Sequence, residues 1–136
     1  SHVIPALILK MEQARQQGRA QVTLWGTGTP LREFLYVDDL ADALVFLLQH
    51  YSEERHINVG SGTEQSIAAL AGEIAAVVGY RGDIIFDTAR PDGTPRKLMD
   101  GSRLHNMGWQ PQTSLRHGLE KAYRWYLDNC RTQNAA

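Results

Sequence analysis

Stretches of helical period alternate with short apolar runs along this chain, and glycines punctuate them. That alternation constrains the fold most, because it argues for α/β packing rather than a bundle or a sandwich. Residues 4–17 read as a helix: Pro5 suits its first turn, Ile4, Leu7, Ile8, Met11 and Ala14 share one face, and Gly18 stops it. Val22–Trp25 reads as a strand and Phe34–Val37 as a second, short extended segment. Asp38 or Asp39 then caps a helix that runs to Gln49. Leu40, Ala43, Leu44, Leu47 and Leu48 form its buried stripe, and Val45 and Phe46 widen it, which predicts burial on more than one side. His56–Val59 is a predicted strand ended by Gly60-Ser61-Gly62. Ser66 caps a helix over Ile67–Val78, Gly79 ends it, and Ile84–Phe86 is a further strand. A short helix around Ser102–Met107 follows, then a last one, Leu115–Asn129, capped by Ser114. Arg131–Ala136 is a polar tail expected to fray. No internal repeat or linker divides the chain.

Two stretches carry the chemistry. In Val22–Asp39 an apolar run ends at Trp25, a Gly-Thr-Gly-Thr-Pro turn follows, and Arg32 and Glu33 come next. An aromatic face, a turn that lets backbone approach closely and a nearby guanidinium suit a ligand made of a base and phosphates. The same residues also suit a hairpin, or strand–loop–strand, whose Trp25 is core and whose Arg32 pairs with Glu33. The second stretch is Arg90-Pro91-Asp92-Gly93-Thr94-Pro95-Arg96-Lys97. Its prolines hold an extended path and Asp-Gly makes a turn, so its cations sit on a stiff loop that costs little entropy to order around an anion. A solvated surface loop is the alternative.

Several classes are excluded or unsupported. With 14 basic and 15 acidic residues the net charge is -1, which gives no electrostatic case for nucleic acid or an anionic membrane as a partner. No apolar run reaches the roughly 20 residues of a membrane span, and no signal-peptide pattern opens the chain. The single Cys130 cannot form an internal disulfide, so a reducing cytoplasm is expected. No metal-ligand spacing is present; His105 and His117 read as helix-surface residues. Gly26-x-Gly28 and Gly60-x-Gly62 are each part of a dinucleotide fingerprint that Leu31 and Gln65 fail to complete. There is no P-loop and no Gly-x-Ser-x-Gly elbow.

Three segments together carry a resemblance. Ser1-His2-Val3-Ile4-Pro5-Ala6-Leu7, Trp25-Gly26-Thr27-Gly28-Thr29-Pro30-Leu31-Arg32-Glu33-Phe34-Leu35-Tyr36-Val37-Asp38-Asp39, and Pro91-Asp92-Gly93-Thr94-Pro95-Arg96-Lys97 closely resemble the GDP-L-fucose synthase family. These are NADP-dependent epimerase/reductases of the extended short-chain dehydrogenase superfamily. The resemblance implies an α/β chain that is the C-terminal, substrate-binding part of a Rossmann-type fold. The N-terminal Rossmann portion, with the Gly-rich cofactor loop and the Tyr-x-x-x-Lys motif, has no counterpart in these residues. Residues 1–130 would be the GDP-sugar-binding portion, and 34–60 would pack on the Rossmann domain. NADP would be held mainly by that N-terminal portion, and the chain alone would be inactive. A homodimer is the expected assembly.

The resemblance also implies roles. His2 would be the histidine acid of epimerisation and lie close to the cofactor. Lys10, Trp25, Arg32 and Asp92 match positions that contact the GDP-sugar: Trp25 at the nucleotide, Lys10 and Arg32 at the diphosphate, Asp92 at ribose hydroxyls or guanine N–H groups. Arg96 and Lys97 would be secondary phosphate contacts, and no residue a metal ligand. Two alternatives stand beside this reading: another nucleotide-sugar epimerase, reductase or dehydratase, and a non-catalytic nucleotide-sugar-binding or dimerisation module.

Overall fold

The structure, a computed structural model, describes residues 3–51, 57–97 and 101–130. The element order is α1 (Val3–Gln16), β1 (Gln21–Trp25), β2 (Leu31–Glu33), α2 (Val37–His50), β3 (Glu64–Ser66), α3 (Ile67–Val78), β4 (Asp83–Asp87), β5 (Arg96–Lys97), α4 (Ser102–Asn106) and α5 (Leu115–Asn129). The expected α/β class holds. Helix boundaries written in local chemistry come out as read. Ser66 Oγ accepts from Ala69 N at 3.0 Å, Ser114 Oγ accepts from His117 N at 3.2 Å, and Gly79 ends α3 at φ 84°.

Strand pairing departs from the sequence reading. β1 and β2 do not form a hairpin. β1 pairs parallel with β4, from Gln21 opposite Asp83 to Trp25 opposite Asp87. β2 lies between β3, antiparallel, and β5, parallel, in a second small sheet. The extended segment expected at Phe34–Val37 is therefore displaced: the strand is Leu31–Glu33, where backbone partners exist, and Val37 already opens α2. The strand expected at His56–Val59 does not form over residues 57–59, which lie outside every strand of the described residues; His56 and the 131–136 tail lie outside those residues. Parallel pairing of β1 with β4 requires a long crossover, and α3 is part of it.

α3 packs against both α1 and α5. The main core forms there from Leu7, Ile8 and Met11 of α1, Val22 and Leu24 of β1, Leu70, Ile74 and Val78 of α3, and Leu119 of α5. A smaller core gathers Ala43, Leu104 and Trp109, with Phe46, Leu47, Ile57 and Val59 against it. Asp38 and Asp39 do not cap α2: Tyr36 is the N-cap and makes no side-chain cap bond. Asp39 Oδ2 instead accepts from Thr113 N at 2.9 Å, which ties α2 to the entry of α5. His105 is half-buried with Nε2 3.2 Å from Gly60 O, and His117 is exposed on α5.

The stripe expected to be buried on α2 is mostly in solvent. Ala43 is fully buried, but Leu44 is 52 % exposed and Leu48 85 %, and Leu40, Val45 and Val37 are exposed as well. The helix is packed only on the side of Ala43, Phe46 and Leu47 among the described residues, so the expected burial on more than one side is not met. A row of this kind promotes association. In light scattering the chain alone is expected to self-associate, and Leu44→Glu with Leu48→Glu to suppress this without lowering Tm. A monodisperse wild-type monomer would contradict it.

One buried charge joins the layers. Glu12 is 1 % exposed; its oxygens accept from Arg15 Nε (3.0 Å) and Nη2 (2.5 Å), Gln16 Nε2 (3.1 Å) and Tyr123 Oη on α5 (2.6 Å). Burial pushes this carboxyl up, but the bonds from Arg15 and Tyr123, the Arg15 charge and the Gln16 amide together outweigh it. The net effect holds Glu12 below its ordinary value of 4.5. The Tyr123 phenol is pushed up, by burial first and then by Glu12. A depressed carboxyl stabilises the fold fully above its unfolded value, and that contribution is lost as pH falls through the lower folded one. Tyr123→Phe is expected to cost about 1–2 kcal/mol in urea unfolding at neutral pH. Glu12→Gln is expected to flatten the acid limb of a Tm–pH profile below the ordinary carboxyl range; an unchanged limb would contradict the assignment.

Candidate functional site

β1 and β4 end side by side, and that places the two chemically marked stretches together. Gly26 N donates to Asp87 O at 2.9 Å, just beyond the last ladder pair, Trp25 and Asp87. The Gly-Thr-Gly-Thr-Pro turn then leaves β1 while the 88–95 loop leaves β4. Between them lies a cleft of about 80 Å³ lined by Trp25, Gly28, Pro30, Arg32, Ile67, Pro91, Asp92 and Gly93. Trp25 alternates outward on β1 and is 67 % exposed, so it is not core. The guanidinium carbon of Arg90 sits 4.9 Å from the Trp25 ring centroid, with Arg90 Nε 3.7 Å from Asp87 Oδ2.

Arg32 does not pair with Glu33. Its Nη1 donates to Leu31 O at 2.7 Å and Thr94 O at 2.6 Å. Glu33 Oε1 accepts from Ser61 N at 2.6 Å. Asp92 accepts from Thr27 Oγ1 at 2.7 Å and Thr27 N at 2.8 Å; the hydroxyl bond first, then the amide, holds its carboxyl below the usual range. Glycine is required on this turn. Gly26 and Gly28 have φ of 89° and 76°, and a Cβ would lie 2.1 Å from Asp92 Oδ1 at the first and 2.7 Å from the Phe86 ring at the second.

Of the site residues expected from sequence, Trp25, Arg32 and Asp92 therefore line one cleft. Lys10 is exposed on α1 and is not part of its lining. Arg96 lies on β5 and is engaged by Glu64 of β3: Nε is 3.0 Å from both carboxylate oxygens and Nη2 bonds Oε1. The bond to Glu64, then its charge, raises the Arg96 pKa further. The Lys97 backbone pairs with Arg32 in the ladder. His2 lies outside the described residues. Arg90, Thr27 and Thr94 hold lining residues of the cleft without having been singled out individually. Arg90 was visible as a cation of the stiff loop; Thr27 and Thr94 gave no signal, because their roles depend on contacts 65 and 62 residues away.

Larger cavities lie elsewhere. One of about 310 Å³ is lined by Ile4, Phe34, Tyr36, Leu115 and Leu119, and an adjoining one of about 360 Å³ by Ile8, Val37, Trp125 and Tyr126. Their walls are largely apolar. A third, of about 370 Å³, is lined by Ser61, Thr63, Gln65, Gln112 and Thr113 and carries no charged side chain, whereas the small cleft has an aromatic ring, a guanidinium and a carboxylate. No cluster of His, Cys, Asp and Glu suited to a metal occurs among the described residues, and no helix among them is long and apolar enough to cross a membrane. The space a Cβ would take at Gly26 and Gly28 is held by Asp92 and the Phe86 ring, so these glycines serve close packing inside the chain.

The family profile of the NAD dependent epimerase/dehydratase family matches residues 1–60. The chain is 56 % identical over 129 residues to a GDP-L-fucose synthase of Sinorhizobium fredii, covering 95 % of this chain and 41 % of that protein. It is 54 % identical over 129 residues to a probable GDP-L-fucose synthase of Oryza sativa, covering 95 % of this chain and 39 % of the relative. Among solved structures, a GDP-L-fucose synthetase of Naegleria fowleri bound to NADP superposes with a TM-score of 0.87 at 29 % identity, over 97 % of this chain and 42 % of that one. The chain thus spans about 40 % of the length of the curated relatives it matches. Over 95 % of its length it is homologous to the C-terminal part of GDP-L-fucose synthases.

Proposed function

We propose that this chain is the GDP-sugar-binding C-terminal portion of an NADP-dependent GDP-L-fucose synthase. The enzyme converts GDP-4-dehydro-6-deoxy-D-mannose to GDP-L-fucose by epimerisation at C3 and C5 and reduction at C4. The observation that carries the reading is the convergence of Trp25, Arg32 and Asp92 on one cleft. An exposed indole stacks a purine, and a guanidinium fork binds a diphosphate. Arg96 and Lys97 lie on β5, the strand next to Arg32 in the same sheet, and in this reading Lys10 of α1 adds charge toward the diphosphate.

Epimerisation beside a ketone requires a base on one face of the ring, an acid on the other, and stabilisation of the enolate between them. His2, ahead of α1, is the acid in this reading and also lies beside the cofactor. The remaining catalytic groups and the dinucleotide site belong to an N-terminal Rossmann portion, on which residues 34–60 pack. The exposed leucine row of α2 supports that packing, since it falls within this segment. Residues 1–130 then act as one substrate-binding unit. The assembly is a cytoplasmic homodimer that engages neither nucleic acid nor membrane, and the chain by itself does not turn over.

Calorimetric titration of the chain with GDP, UDP and NADPH in parallel tests this. GDP binding without NADPH binding is expected, weakened about tenfold or more by Trp25→Ala or Arg32→Ala. Equal binding of UDP would point to another nucleotide-sugar enzyme. GDP binding unchanged in both variants would remove the cleft from the account.

A further inference from the structure

Asp92 stands in the sequence reading as a direct substrate contact, yet each of its oxygens already accepts a hydrogen bond inside the protein. Oδ1 accepts from Thr27 N at 2.8 Å and Oδ2 from Thr27 Oγ1 at 2.7 Å. The same Thr27 hydroxyl lies 2.7 Å from Thr29 Oγ1 and accepts from Thr29 N at 3.3 Å, so it also shapes the turn. Thr27 and Asp92 therefore clasp the Gly-Thr-Gly-Thr-Pro turn to the loop that follows β4.

The clasp has a consequence two residues on. Thr94 O, on the clasped loop, receives Arg32 Nη1 at 2.6 Å, and Leu31 O receives it at 2.7 Å. Both hydrogens of that nitrogen are then committed to carbonyls. Gly93 packs against the same guanidinium; a Cβ there would lie 3.3 Å from Arg32 Nη2. The Nε and Nη2 hydrogens have no hydrogen-bond partner among the described residues, and that edge is the one that forks onto two oxygens of an anion.

We infer that Thr27 and Asp92 are positioning residues: the clasp places Thr94, Thr94 O orients Arg32, and Arg32 presents its Nε–Nη2 edge to the diphosphate of a nucleotide ligand. The inference rests on the GDP-sugar reading and changes the part that Asp92 plays in it. A residue that touched ribose or base would act on the nucleoside half of the ligand. A residue that acts through Arg32 acts on the phosphate half.

Inorganic pyrophosphate, which has neither ribose nor base, separates the two. The full chain is titrated with pyrophosphate and with GDP as wild type, Thr27→Val, Thr27→Ser and Asp92→Asn, with Tm recorded for each. Thr27→Val is expected to weaken both ligands by a similar factor, about threefold to tenfold, at unchanged Tm. Thr27→Ser, which keeps the hydroxyl, is expected to restore both, and Thr27→Val to add nothing in an Arg32→Ala background. Loss of GDP binding with pyrophosphate binding intact in Asp92→Asn would overturn the inference, as would full binding of both ligands by Thr27→Val. The ¹⁵N relaxation of Arg32 Nε–H in the ligand-free chain gives a second readout. Loosening in Thr27→Val supports the clasp and no change overturns it, even if wild type binds neither ligand and the GDP-sugar reading fails.

Discussion

The parallel pairing of β1 with β4 is the constraint on which the rest depends. It sets Trp25 opposite Asp87 and continues one bond further, from Gly26 N to Asp87 O. Two loops more than sixty residues apart in sequence thus start from neighbouring points and run along each other. Without that register the turn glycines have no neighbour to admit, Thr27 cannot meet Asp92, and Arg32 loses the carbonyl of Thr94. Parallel pairs need a helical crossover, and α3 also supplies the middle of the main core. Core and cleft are therefore two results of one topological choice.

Local codes were legible and long-range pairings were not. Ser66 and Ser114 marked helix starts, and Gly79 marked an end, because a cap is made within three or four residues of itself. β3 and β5 went unread because Glu64–Ser66 and Arg96–Lys97 are polar; their strand character comes from lying on either side of β2. The same division runs through the site. Trp25, Arg32 and Asp92 could be named from motif resemblance. That Arg32 would lean on Thr94 rather than Glu33, and that Asp92 would be taken up by Thr27, depended on chain segments brought together by the fold.

α2 shows the reverse case. Its breadth of apolar residues predicted burial on more than one side, and the described chain covers only the side around Ala43. The expected burial on further sides is not met among the described residues, and the chain spans about 40 % of the length of its curated relatives. Buried Glu12 works differently. Its bonds to Arg15, Gln16 and Tyr123 close within the described residues, so α1 is fixed on α5 without any further partner. The α1–α3–α5 layer is thus closed by its own contacts, while α2 keeps one apolar face in solvent among the described residues.

The most direct measurement is ¹⁹F NMR of the chain labelled with 5-fluorotryptophan, titrated with GDP. There are three tryptophans in three distinct surroundings: Trp25 at the cleft, Trp109 in the smaller core and Trp125 beside the apolar groove. The account expects the Trp25 resonance to move with GDP while the other two stay in place. Movement of Trp125 alone, or GDP binding that leaves Trp25 unmoved, would contradict it.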